Sequence, residues 1–203
     1  MTSAFFSTNP AFGDNAAALP EGWREIGVRT AALGFDMPSE ADTGALLRLL
    51  AAAKPGGRLL ELGTGTGLAT ACLLAGMDTG AILTSLDNDA DVQAVARDVL
   101  GDDPRVTFVL DDAMDHVRTQ HPGSLDLIFA DAWPGKYDGL DETLALLAPG
   151  GLYVVDDMLP QPNWPPNHQA RVDALTLRLK THPDLVVVSL PWASGLIVAA
   201  RRS

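Results

Sequence analysis

The chain of 203 residues holds a single cysteine, Cys72. One thiol excludes an internal disulfide framework and gives no cysteine-based metal cluster. Long apolar runs are missing as well. Nothing approaches the ~20 residues that a membrane helix needs. The opening MTSAFFSTNPAFGDN lacks the basic start and apolar core of a secretory signal. These absences point to a cytoplasmic protein. Basic residues are scarce: 14 Lys and Arg stand against 26 Asp and Glu, a formal net charge of −12. The only basic cluster is the terminal ARRS. Such a surface repels nucleic-acid backbones and anionic membranes. Small molecules remain as partners, cationic ones included. Internal repeats and low-complexity tracts are absent.

What is present is apolar. With 47% hydrophobic residues, the chain can build one well-cored domain but not two comfortable ones. From Arg58 onward short β-branched runs alternate with helical patterns. RLLELG, AILTSLD, RVTFVL, LDLIFA and GLYVVD read as strands. GLATACLLAG, ADVQAVARDVL, AMDHVRTQ, GLDETLALLA and NHQARVDALTLRLKTH read as helices. Unbroken apolar strands separated by helices argue for βαβ units and a doubly wound α/β sheet. The last two strands, LVVVSLP and GLIVAAR, are separated only by WAS and should form an antiparallel hairpin. Seven strands result. Before Arg58, Ser39 and Asp42 resemble a capping box opening a helix with Leu46, Leu47, Leu49 and Leu50. Residues 1–37 read as an irregular flap or interface segment, and 38–203 as the single domain.

The chemistry concentrates at strand ends. In LLELGTGTGLAT, Gly63, Gly65 and Gly67 allow a tight turn and close approach to a ligand. A dinucleotide fingerprint needs glycine at position 68, where Leu68 stands. Glu61 before the turn would repel a pyrophosphate and favour an ammonium, so the cofactor should be amino-acid-like. Asp87 ends the second strand, where a carboxylate can accept from both ribose hydroxyls. Asp112 ends the third, placed to accept from an adenine amino group while the Ala113 N–H faces the ring. Each acid alone also suits a helix N-cap, Asp89 above all.

LLELGTGTGLAT, LTSLDND, LDDAMD and LDLIFADAW together resemble the successive motifs of class I S-adenosylmethionine-dependent methyltransferases. The resemblance spans roughly residues 37–200 and implies strand order 3-2-1-4-5-7-6 with strand 7 antiparallel. It implies that Glu61, Gly63, Thr64 and Gly65 face the methionine part of S-adenosylmethionine, Asp87 and Asn88 the ribose, and Asp112 and Ala113 the adenine. Met37 and Asp131 would complete the cofactor site. Within that superfamily the chain is most similar to small O-methyltransferases of the catechol and caffeoyl-CoA type. Their divalent cation would here be held by Asp131 after strand 4 and by Asp156 and Asp157 after strand 5. Oxygen-only ligands suit Mg²⁺, Mn²⁺ or Ca²⁺. Neighbouring parallel strands lie ~4.8 Å apart, so acids at their ends can share an ion if the pleat stops at Asp156.

Two positions depart from that pattern. The family's Asn is Asp157, and its Lys has no counterpart at the same spacing, Lys136 lying two residues further on. Lys136 and Asp131 are the candidate catalytic residues, Lys136 as a displaced base. The opposing readings give Asp156 and Asp157 a turn cap and a solvated side chain, or let Asp131 meet the substrate without metal. Trp133 and Trp164 suit stacking on a planar acceptor or ordinary loop packing. His168 suits a base or a helix start, and Cys72 the core. The expected activity is methylation of a small molecule, at oxygen, by a protein that the resemblance allows to be a homodimer, with Phe5, Phe6 and Phe12 at the interface. Aminopropyl transfer and non-catalytic cofactor binding are the alternatives.

Overall fold

A computed structural model describes residues 19–203. Seven strands form one sheet: β1 (Arg58–Leu62), β2 (Ile82–Asp87), β3 (Val106–Leu110), β4 (Leu125–Ala130), β5 (Leu147–Val155), β6 (Leu185–Leu190) and β7 (Leu196–Arg201). Their order is β3-β2-β1-β4-β5-β7-β6. The first five pair in parallel, and β7 runs antiparallel to both β5 and β6. This is the expected topology, with the hairpin closing one edge. The helices are α1 (Trp23–Leu33), α2 (Ala41–Ala52), α3 (Leu68–Gly76), α4 (Ala90–Leu100), α5 (Ala113–Thr119), α6 (Leu140–Ala145) and α7 (His168–Thr181). Among the described residues no helix is long and apolar enough to cross a membrane.

Strand alternation divides the core between the two sheet faces. Leu60 and Leu62 of β1, with Ile128, Ala130, Tyr153 and Val155, pack against residues of α5, α6 and α7. Leu59, Leu127, Phe129 and Val154 point the other way, against α2 and α3. Burial on both faces explains why these strands read as continuous apolar runs rather than alternating ones. Cys72 is buried in α3, as expected of a core thiol.

Three expectations change. Residues 23–33, read as irregular, form α1, which buries Ile26 and Thr30. Thr30 Oγ1 donates to Ile26 O and meets the Thr66 hydroxyl in the glycine turn, both at 2.7 Å. The capping box does not form: Glu40 is the N-cap of α2, without a side-chain cap, and the Ser39 hydroxyl donates to Asp131 Oδ2 at 3.2 Å. Finally, β5 starts at Leu147, inside the stretch assigned to the preceding helix, with a register shift against β4 between Leu125 and Leu127. The proposed interface residues Phe5, Phe6 and Phe12 lie outside the described residues.

Candidate active site

The carboxyl ends of β1 to β4 and the residues after β5 converge on a cavity of about 360 Å³. In an open parallel sheet the strand order reverses beside β1, and ligands bind at that point. The glycine turn forms its floor. Gly63, Gly65 and Gly67 have φ of 99°, 53° and 98°. A Cβ at Gly67 would lie 2.6 Å from Ala96 Cβ and 3.1 Å from its Cα, so α3 and α4 touch there as only glycine permits. The N–H groups of Gly63 and Thr64 both donate to Leu86 O at 2.9 Å.

Asp87 fixes the next layer. One carboxylate oxygen accepts from the Gly65 N–H at 2.8 Å, the other from the Asp89 N–H at 2.9 Å. Asp89 caps α4 through the N–H groups of Asp91 and Val92, as expected. Asp112 caps α5 by accepting from Met114 and Asp115. It therefore has the N-cap role and also lines the cavity, beside Ala113. Thr64, Asn88 and Met37 line it too, Met37 being 62% exposed at the mouth.

Glu61 stands apart. It is fully buried under the turn and does not line the cavity. Oε2 accepts from Thr70 and Ser85, each at 2.5 Å, while Oε1 has no partner among the described residues. Ser85 Oγ meets Thr64 Oγ1 at 2.7 Å, and Gln93 Nε2 donates to Thr64 Oγ1 at 3.0 Å. Burial raises the Glu61 pKa to about 7, against the opposing hydrogen bonds from Ser85 and Thr70. Its reach to a ligand is through this buried chain and Thr64.

The far end of the cavity holds Asp131, Trp133, Pro134 and Asp157. β5 stops at Val155, and Asp157 adopts a left-handed φ of 58°, so the pleat does end where a shared site would require. Asp156 nevertheless points elsewhere. It is 2% exposed, lies outside the cavity lining, and its Oδ1 accepts from Ser194 Oγ and from the Asp157 N–H. Two of the three aspartates thus face the cavity. Among the described residues, no three His, Cys, Asp or Glu side chains are gathered closely enough to hold a metal ion.

Burial, then the charges of Asp156 and Asp157, raise the Asp131 pKa well above the ordinary carboxyl range; Lys136 and the Ser39 hydroxyl oppose the rise. Burial pushes Asp156 up to about 6. Lys136 is 3% exposed and lies outside this cavity, so it reaches Asp131 and Asp156 by its field. His168 opens α7. Its Nε2 lies 3.1 Å from the Tyr137 hydroxyl, and its ring packs 4.6 Å from Trp164 and 5.7 Å from Trp133. Trp164 is thus loop packing, whereas Trp133 belongs to the cavity wall. Ser39, Phe35 and Ser194 are site residues that the sequence does not mark as such. Ser39 carried a capping signal that proved misleading, and Ser194 carried none.

Comparison with known proteins gives the class. Residues 60–158 match a family model described as a methyltransferase domain. The chain is 32% identical over 168 residues to a protein of Mycobacterium sp. (strain JLS) named "Putative O-methyltransferase", covering 78% of this chain and 76% of that one. A Mycobacterium avium (strain 104) protein of the same name is 35% identical over 117 residues, 55% of this chain; there the chain spans about half the relative's length, 53%. The O-methyltransferase TomG of Streptomyces achromogenes, involved in tomaymycin synthesis and solved in complex with SAM, shares the fold with a TM-score of 0.80 at 22% identity, over 95% of this chain and 96% of that one. The chain belongs to the methyltransferase-domain family.

Proposed function

We propose that the protein is an S-adenosylmethionine-dependent methyltransferase that methylates an oxygen of a small molecule. The observation that carries this reading is the single cavity running from Asp112 past Asp87 and the glycine turn to Asp131. In it, carboxylates stand where an adenine and a ribose would need acceptors. The named activity of the relatives supports the same reading. Bound there, the cofactor supplies an electrophilic methyl group on a sulfonium.

The chain's own residues do the rest. Asp87 accepts from the ribose hydroxyls, held by the two N–H groups that already orient it, with Asn88 beside it. Asp112 and the Ala113 N–H read the adenine edge. The backbone of Gly63, Thr64 and Gly65 comes close to the amino-acid moiety, with Glu61 bracing Thr64 from below. Met37 covers the methyl end, and Trp133 offers an apolar face to the acceptor. Asp131 takes the proton from the acceptor hydroxyl: a carboxylate whose proton affinity is raised by burial is a stronger base than an exposed one. Lys136 limits that rise by its charge and lines a neighbouring cavity instead of this one, so the role of base falls to Asp131.

A form assisted by Mg²⁺, Mn²⁺ or Ca²⁺ would require Asp156 to leave Ser194 and turn beside Asp131 and Asp157. The side chains do not fit an ion as they stand, and no step is assigned to one. A cytoplasmic location, a homodimer, and a boundary at residue 37 between an N-terminal segment and the methyltransferase domain complete the proposal. The test is incubation with methyl-labelled S-adenosylmethionine and a panel of hydroxyl acceptors, with and without EDTA. The expected result is S-adenosylhomocysteine and methyl ether at equal rates in both. Methylthioadenosine would indicate aminopropyl chemistry, binding without turnover a non-catalytic role, and EDTA-sensitive turnover the metal-assisted form.

A further inference from the structure

Beside the acid-lined cavity lies a second one of about 290 Å³, between the loop after β4 and the face of α7. Its charge is opposite. Lys136, Arg171 and Arg178 line it, with Asp138 the one carboxylate, and Tyr137 and Ala174 as walls. Only 14 Lys and Arg exist in the whole chain, so three around one small cavity is a concentration of a scarce charge.

Arg171, Ala174 and Arg178 sit three and four residues apart along α7, on one helix face, and the small alanine leaves room between the two arginines. Lys136 comes from the facing loop, which is held by the Tyr153 hydroxyl donating to Gly135 O at 2.6 Å. Gly135 and Gly139 on either side of it have φ of 79° and 70°. Arg178 uses one nitrogen on Asp141 at 2.8 Å, and the Arg171 guanidinium lies 4.8 Å from the Trp133 ring centre.

Lys136 is the informative member. It is 3% exposed, yet among the described residues its Nζ makes no hydrogen bond or ion pair; its near neighbour is the Tyr137 ring at 5.5 Å. Although the residue is largely covered, its Nζ is not among the buried atoms left without a partner, so the ammonium opens onto the cavity. Asp131 and Asp156 act on it only through space, and an anion in the cavity would give it a direct charge-assisted hydrogen bond. Burial, then the charges of Lys136 and Arg171, hold the His168 pKa below its ordinary value against the opposing charge of Asp157.

We propose that this second cavity is an oxyanion-binding site in which Lys136 and Arg171, flanked by Arg178, hold a phosphate- or carboxylate-sized group. The site stands independently of the methyl-transfer reading. Its occupant is either a free anion or an acidic group on the methyl acceptor, since Trp133 borders the first cavity and contacts Arg171.

The test is calorimetric titration of inorganic phosphate, and separately of acetate, into the full-length protein at constant ionic strength, for wild type, Arg171→Ala and Lys136→Met. Circular dichroism checks that each variant folds. Arg171 is exposed, so its replacement keeps the test valid if the buried substitution unfolds the chain. The expected result is saturable one-site binding in the wild type, weakened about tenfold or more in each variant, as loss of a charge-assisted hydrogen bond predicts. The absence of saturable binding of either anion in the wild type would overturn the proposal. Binding unchanged in Arg171→Ala would overturn it equally. In the methylation assay, phosphate competing selectively with acidic acceptors identifies the acceptor as the source, and phosphate binding without such competition identifies a free anion. Absence of methylation alongside intact phosphate binding would count against the proposed function and not against this site.

Discussion

The two ends of the site, one at β2 and β3 and the other at and behind the ends of β4 and β5, use the same residue type in opposite ways. At the ends of β2 and β3, Asp87, Asp89 and Asp112 accept from backbone N–H groups of adjoining turns and helix starts. Those bonds are to backbone donors, and they hold each carboxylate in place at the carboxyl edge of the sheet. Beyond β4 and β5, Asp131 and Asp156 have hydroxyl partners from distant segments, Ser39 and Ser194. They sit beside Asp157 and are driven by burial and mutual repulsion toward their protonated forms. One half is a preformed cradle, which suits a cofactor. The other is a strained group of proton-binding acids, which suits chemistry.

The sharpest way to break this contrast is Asp131→Asn. If Asp131 moves the proton, kcat/KM falls by about 10²- to 10⁴-fold while the affinity for S-adenosylhomocysteine changes little. A comparable loss in both would make Asp131 a cofactor residue and erase the difference between the halves.

Glu61 gives the next largest effect. The folded carboxyl holds its proton more tightly than the unfolded one, so its contribution is most favourable below 4.5 and is lost as pH rises to about 7. The shift corresponds to roughly 3 kcal/mol. Urea denaturation across that window should show the loss in the wild type and a much flatter profile in Glu61→Gln. An unchanged slope in the variant would remove Glu61 as the cause.

Gly67→Ala tests the cradle itself. The positive φ and the close Ala96 contact predict destabilisation by about 2–4 kcal/mol in urea melts. Gly65→Ala, whose Cβ would meet only the Phe35 ring at 3.6 Å, should cost about 1 kcal/mol. The smallest effect belongs to Ser39→Ala. Losing one partly buried hydrogen bond to Asp131 should lower stability by about 1 kcal/mol or less and move the acidic limb of the pH–rate profile upward, because Ser39 favours the ionised Asp131.

The cradle was legible in the sequence because most of its bonds are short-range, the one from Gly65 to Asp87 joining two adjacent strand ends 22 residues apart. Asp87, Asp89 and Asp112 act on residues one to three positions away or on the adjoining glycine turn, and such spacing is written in the chain. Strand and helix periods pointed to the doubly wound sheet and its closing hairpin, and the strand order came from the family resemblance. The other half depends on contacts across long separations. The orientation of Asp156 is set by Ser194, 38 residues later, within a turn that looked like a simple hairpin connection. The position of Lys136 depends on a loop pinned by Tyr153, 18 residues away. Helix α1 escaped notice because Gly27 interrupts its apolar pattern, and its anchor, Thr30 on Thr66, spans 36 residues.

The most direct test of the central claim is calorimetric titration of S-adenosylhomocysteine into the wild type and Asp87→Ala. The cradle predicts one-to-one binding in the wild type, weakened about tenfold to a hundredfold in the variant through loss of charged hydrogen bonds to the ribose. No binding to the wild type, or equal binding to both, would contradict the assignment of this cavity to S-adenosylmethionine.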